Sequence, residues 1–137
     1  MKNLFLLIFL IISFTKIGFA QQASEKSNAI IITQTDSIGL REKVLKVFAD
    51  KDYAISSSKT AKIISTAAKT LKNGSRVHFN VQIKGVDIIL TGKLPVAGQS
   101  TMTIAYQGKK GTPIMNGWEE MEKIAKAIGG KIMYTIQ

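Results

Sequence analysis

The stretch Lys72-Asn73-Gly74-Ser75-Arg76-Val77-His78-Phe79-Asn80-Val81-Gln82-Ile83-Lys84-Gly85 decides the fold. Val77, Phe79, Val81 and Ile83 alternate with Arg76, His78, Asn80, Gln82 and Lys84. Successive strand side chains point to opposite faces, so a period of two sends one set into a core and the other into water. The segment reads as a one-faced antiparallel strand. Asn73-Gly74 is the pair best able to take the positive φ angles of a tight hairpin turn, so the strand is entered through a hairpin. Gly85 permits another turn at its far end.

C-terminal to that turn, residues 87–94 repeat the alternation with Ile88, Leu90 and Leu94 inward, and Gly92 marks a bend or bulge. Pro95 and Gly98 close this strand. Residues 100–107 form the next, with Met102, Ile104 and Tyr106 on one face and Thr101, Thr103 and Ala105 on the other. Beyond Gly108-Lys109-Lys110-Gly111, the residues Ile114, Trp118, Met121, Ala125 and Ile128 make an apolar stripe at three- and four-residue spacing, the mark of an amphipathic helix. Asn116 is placed to cap it with Glu119 reaching back, and Gly129 stands where a left-handed C-cap belongs. Ile132, Tyr134 and Ile136 make a final strand.

On the N-terminal side, Ala29-Ile30-Ile31-Ile32-Thr33 is a β-branched run suited to a largely buried strand. Thr35-Asp36-Ser37 can cap a helix over residues 38–50, whose apolar positions Leu40, Val44, Val47 and Phe48 share one face. Residues 53–57 and 62–71 read as two strands joined by Ser58-Lys59-Thr60. The order β-α-β-β-β-β-β-α-β predicts an α+β fold, an antiparallel sheet of about six to seven strands with two helices packed on one face.

The beginning of the chain has a different character. Lys2, the apolar run of residues 4–12 and the ending Gly18-Phe19-Ala20 read as an export signal over residues 1–20, cleaved near Ala20. The run gives out before Lys16, short of the about 20 apolar residues that span a bilayer, and no second such run follows. A flexible leader over residues 21–28 and one domain over residues 29–137 complete the organisation, in a periplasmic or extracellular setting. With Lys2 and Lys16 removed, 17 basic residues face 9 acidic ones, a net charge of +8 that attracts anionic partners. The chain holds no cysteine, which excludes disulfides, thiolate chemistry and cysteine metal sites.

The strand-helix entry from Ile30 to Phe48, the stretch Tyr53-Ala54-Ile55 followed by Ile63-Ile64-Ser65-Thr66, and the closing Trp118 helix with its strand through Tyr134 together resemble small exported bacterial domains of helix-grip or TATA-binding-protein-like fold. These include domains of BamC, an accessory lipoprotein of the outer-membrane β-barrel assembly machinery. The resemblance covers about residues 29–137 and implies a fold and an envelope setting, with no catalytic motif. This chain departs from BamC in lacking the lipidated cysteine, which speaks against a membrane-tethered role.

Few residues suggest chemistry. His78 is the single histidine, with no acidic or cysteine cluster near it in sequence, so neither a general-base nor a zinc arrangement is in view, and no cofactor is expected. Asp87 and the Glu119-Glu120-Glu122 group are the acids of the second half of the chain, and acids in the first turns of a helix are what helix electrostatics alone would place there, a reading that outweighs acid-base work. Gly108-Lys109-Lys110-Gly111-Thr112 lacks the spacing of a phosphate-binding loop. Two candidate surfaces remain. One is the polar sheet face of Arg76, His78, Asn80, Gln82, Lys84 and Lys93, suited to an acidic envelope protein or an anionic envelope polymer. The other is a pocket between helices and sheet near Tyr106 and Trp118, which would make the chain a small-ligand carrier. Nucleic acid is disfavoured, because no aromatic residues interleave the basic ones.

Overall fold

The computed structural model describes residues 22–98 and 100–137, so the export signal expected over residues 1–20 lies outside the described residues. Strand β1 (Ala29–Thr33) leads into helix α1 (Leu40–Asp50). Strands β2 (Ile55–Thr60), β3 (Ile63–Thr66), β4 (Lys69–Thr70), β5 (Arg76–Lys84), β6 (Asp87–Pro95) and β7 (Thr101–Thr103) follow. Helix α2 (Pro113–Ile128) and strand β8 (Lys131–Thr135) close the chain. The fold is α+β with an antiparallel sheet in the order β2-β3-β5-β6-β1-β8, in which β4 continues along β5 and β7 along β6.

The β5–β6 hairpin is the centre of the sheet, and its alternation holds: Val77, Phe79, Val81, Ile88, Leu90 and Leu94 are buried. They meet Leu40, Val44, Val47 and Phe48 of α1 and Met115, Trp118, Met121, Ile124, Ala125 and Ile128 of α2 in one core. Burying each large apolar side chain contributes about 1.5–3 kcal/mol, so the two helical stripes and the inward sheet face account for most of what holds the layers together. Phe48, Tyr53 and Phe79 stack edge to face at centroid distances of 5.9 and 5.4 Å, tying α1 to β5. Gly92 of β6 runs straight through its strand without a bulge. It is glycine because a Cβ there would stand 2.7 Å from Ile104 Cδ1 and 2.9 Å from Phe79 Cδ1.

Several expected boundaries shift. The extended segment 62–71 splits into β3 and β4, giving eight strands among the described residues. Between the pairs Ser65↔Asn80 and Lys69↔Val77, residues 66–68 face only residues 78–79, a β-bulge. Ser58-Lys59-Thr60 belongs to β2 and is not a link, whereas Tyr53 lies outside that strand in the core. The chain leaves β7 after Thr103, far short of Gln107. Ile104 N donates to Gly92 O, and Tyr106 N then donates to Ser27 O, carrying the chain across to the segment before β1. That segment, expected to be a flexible leader to Asn28, is bonded to the fold: Lys26 N donates to Tyr106 O and Asn28 N to Thr135 O, both at 3.0 Å.

Turn chemistry differs in detail as well. In the β4–β5 hairpin only Gly74 takes a positive φ (85°), while Gly74 N donates to Leu71 O and Leu71 N to Ser75 O. This is a three-residue loop with the glycine at its left-handed position, and not the two-residue Asn-Gly turn. Helix α1 starts at Leu40 behind Gly39, with no side-chain cap; Asp36 Oδ1 accepts instead from Ile38 N in a local turn. Helix α2 is capped by Thr112, whose Oγ1 accepts from Met115 N at 3.2 Å, with Pro113 in its first turn. Asn116 is therefore inside the helix, where its Nδ2 donates to Ser75 Oγ. Gly129 follows with φ 73° but ψ 160°, outside the left-handed helical region.

The uncovered sheet face as candidate functional site

Both helices lie over one side of the sheet, and the side chains of the opposite side gather into rows fixed by strand register. At one end, His78 of β5 stands opposite Lys93 of β6, which stands opposite Thr103 of β7. The strand alternation sets Arg76 beside them. Arg76 and Lys93 are exposed and His78 is partly so. No side-chain hydrogen bond or ion pair engages Arg76 or Lys93 among the described residues, and no carboxylate stands in register with them. Burial, and after it the charge of Lys93, hold the His78 imidazole below its ordinary pKa.

At the other end the balance is different. Lys84 stands opposite Asp87, and Asp87 opposite Thr33, whose Oγ1 donates to Asp87 Oδ1 at 2.6 Å. Lys131 stands opposite Thr33 in the same row, so that end sets one carboxylate between two lysines, whereas the Arg76, His78 and Lys93 end has cations with no carboxylate among them.

Between the two ends runs a feature that the alternation did not expose. Register aligns Met133, Ile31, Ile89, Gln82 and Ile63 in a single row across five strands. Met133 and Ile63 are exposed, while Ile89 is nearly buried. Beside the row, a shallow trough of about 280 Å³ is lined by Ile63, Asn80, Gln82, Ile89, Thr91 and Gln137. Gln137 reaches it because Asn28 Oδ1 accepts from Gln137 N at 2.7 Å and Asn28 Nδ2 donates to Gln137 O at 3.1 Å. The Asn80 carboxamide oxygen accepts from Ser65 Oγ, which fixes one wall. The face is thus amphipathic, polar at its ends and apolar across its middle.

The structure brings Arg76, His78, Asn80, Gln82, Lys84 and Lys93 onto one face, as expected, and sets Trp118 into the core, while Tyr106 packs half-buried against that core and lines a surface cavity of about 330 Å³ with Glu25, Lys26, Ala105 and Gln107. Trp118 is fully enclosed, its ring 6.0 Å from that of Tyr106 and 5.8 Å from that of Tyr134, and its Nε1 has no acceptor among the described protein atoms. An open pocket does exist elsewhere on the helix side: about 400 Å³ at the end of the sheet, lined by Leu94, Val96, Met102, Thr112, Pro113 and Ile114. Two of the three glutamates of α2 serve the fold. Since α2 begins at Pro113, they fall beyond its first turn, where Glu120 accepts from Tyr53 OH at 3.1 Å and Glu122 from Tyr134 OH at 3.0 Å. In the Gly108–Thr112 loop, Thr112 is engaged as the helix cap.

Neither the protein-family models nor the curated proteins searched give a match to this chain.

Proposed function

We propose that the chain is a non-enzymatic binding module of the cell envelope, working in the periplasm or outside the cell. Its uncovered sheet face receives an acidic protein segment. One observation carries this reading: an open face joins a cationic end that holds no carboxylate in register to an apolar row. A partner with acidic and apolar side chains would satisfy both halves. An anionic polymer would use the cationic end alone, so the apolar row favours a protein.

The test is capture of envelope proteins by the wild-type chain, by an Arg76→Glu/Lys93→Glu variant and by Lys84→Glu. The double reversal should weaken capture about tenfold, equivalent to about 1.4 kcal/mol, with the wild-type interaction fading as salt rises. Lys84→Glu should matter less, because Asp87 already offsets that lysine. Capture unchanged by the double reversal overturns the reading. Loss of capture that a soluble polyanion reproduces by competition, while Ile89→Ser leaves capture intact, assigns the face to a polymer instead.

A second reading, a small-ligand carrier, draws support from the pocket at the sheet end, whose size falls within the about 300–1,000 Å³ of ligand sites. Met102→Trp would fill its mouth. Binding of an apolar fluorescent probe that survives this substitution would dismiss the carrier reading.

A further inference from the structure

The two edges of the sheet are built differently. At the β2 edge, the pairing with β3 shifts register between Ile55 and Ser57 and again between Ser57 and Thr60, so the strand is irregular. Such irregularity blunts an edge against further pairing. At the β8 edge, five consecutive residues pair with β1 without a shift, no proline interrupts, and no element among the described residues pairs with the outer side. Strand β8 is a regular, open template.

The direction of its backbone groups follows from the ladder. Gln34 N donates to Val86 O at 2.9 Å, one step beyond the pair Thr33↔Asp87. Antiparallel pairs alternate between hydrogen-bonded and non-bonded, so Ile30 and Ile32 bond toward β6, whereas Ala29, Ile31 and Thr33 bond toward β8. Their partners Thr135, Met133 and Lys131 therefore direct their backbone groups at β1. The N–H and C=O groups of Ile132 and Tyr134 point away from the sheet.

We infer that β8 pairs with β8 of a second copy of this chain, antiparallel about a twofold axis through Met133. The occupant is named by the strand's self-complementarity. In this register Ile132 faces Tyr134 of the second copy, so outward groups meet outward groups and about four backbone hydrogen bonds form. The side chains agree: a β-branched residue stands against an aromatic one on the helix side, and Lys131 stands against Thr135 on the open side, so no like charges are opposed. Met133, 37% exposed, meets its own copy. The apolar rows of the two sheets then join across the axis. The contact is small, and the dimer is correspondingly weak and concentration-dependent. This inference rests on the edge alone and not on the binding role proposed for the face.

Because the chain has no cysteine, a single introduced thiol reports the geometry. In a non-bonded antiparallel pair the Cα atoms lie about 4.5 Å apart, within the about 4.4–6.8 Å that a disulfide spans. Under a mild thiol oxidant, Met133→Cys should form a covalent dimer several-fold faster than Met102→Cys, which carries its thiol at another exposed position. Sedimentation equilibrium of the wild type should show reversible dimerisation with rising concentration. Met133→Lys, adding like charges across the axis at a site exposed in the single chain, should be monomeric with an unchanged circular dichroism spectrum. A wild type that stays monomeric to millimolar concentration overturns the inference, as does equal cross-linking of the two thiol variants. Neither measurement involves an envelope partner, so their failure leaves the sheet-face proposal standing.

Discussion

Ile104 occupies the space that a side chain on Gly117 would need: a Cβ at Gly117 would lie 2.7 Å from Ile104 Cδ1 and 3.0 Å from its Cγ1. On the opposite side the same methyl presses on Gly92, again at 2.7 Å from a built Cβ. Helix α2 and strand β6 thus approach one another through a single isoleucine held between two glycines. Gly117→Ala would gain about 1 kcal/mol in helix propensity, but overpacking costs about 1–3 kcal/mol and Ile104 has little room to move. A net loss of about 1 kcal/mol is expected in denaturant unfolding. The sharper check is a double-mutant cycle: Ile104→Val should cost about 0.5–1.5 kcal/mol alone and clearly less beside Gly117→Ala. Simple additivity would mean that the contact does not limit the layer spacing.

At the bulge between β3 and β4, the Thr66 hydroxyl accepts from Phe79 N at 2.9 Å in a buried position, taking the part a ladder carbonyl plays elsewhere. Thr66→Val keeps the shape and removes the acceptor, leaving a buried N–H unsatisfied at a cost of about 1–3 kcal/mol. Thr66→Ser retains the acceptor and should recover most of that loss. Equal destabilisation by the two substitutions, read from urea unfolding midpoints, would show that methyl packing and not the hydrogen bond matters at Thr66.

These contacts mark where reading along the chain stops being sufficient. The alternation from Val77 to Ile83 and the helical stripe through Trp118 are local patterns, and they locate β5, β6, α2 and the polar face correctly. The bulge after Thr66 depends on which residues of β5 lie opposite, a relation that no window of neighbouring residues contains. The apolar row escapes for a related reason. Ile30-Ile31-Ile32 and Ile88-Ile89-Leu90 are apolar on both faces, so composition does not reveal that Ile31 and Ile89 turn outward. Trp118 and Tyr106 have the same spacing whether they line a pocket or fill a core: the approach of Tyr134 from the last strand encloses Trp118, whereas Tyr106 stays half-buried at the rim of a surface cavity.

A buried and a partly buried phenol give the fold an alkaline limit. Burial, and then the hydrogen bond to Glu122 and its charge, push the Tyr134 hydroxyl up to about 12, and burial with Glu120 raises Tyr53 as well. An unfolded tyrosine ionises near 10, so between that value and the folded pKa the unfolded chain loses protons first. The stabilisation is therefore complete below about pH 10 and lost as pH rises toward 12. Tyr134→Phe should flatten the decline in melting temperature over that window. A decline of the same steepness in Tyr134→Phe would assign it to Tyr53 or to lysine deprotonation.

His78 should make the acid side of the stability profile respond to its neighbour across the strands. Its pKa is lowered first by burial and then by Lys93, so as pH falls below about 6.5 the unfolded chain takes up the proton before the folded one does. Stability is intact above that pH and declines below it, until folded His78 is protonated too. His78→Gln should remove this part of the decline. Lys93→Met should remove only some of it, because burial is the larger cause, and should raise the His78 pKa read from its imidazole resonances by NMR. The same titration probes the sheet face: an acidic segment bound beside Arg76 and Lys93 would favour imidazolium, raising the His78 pKa and tightening binding as pH falls from 7 to 6. Binding that weakens over that interval, in a partner whose own carboxylates stay ionised, would place the acidic segment away from His78.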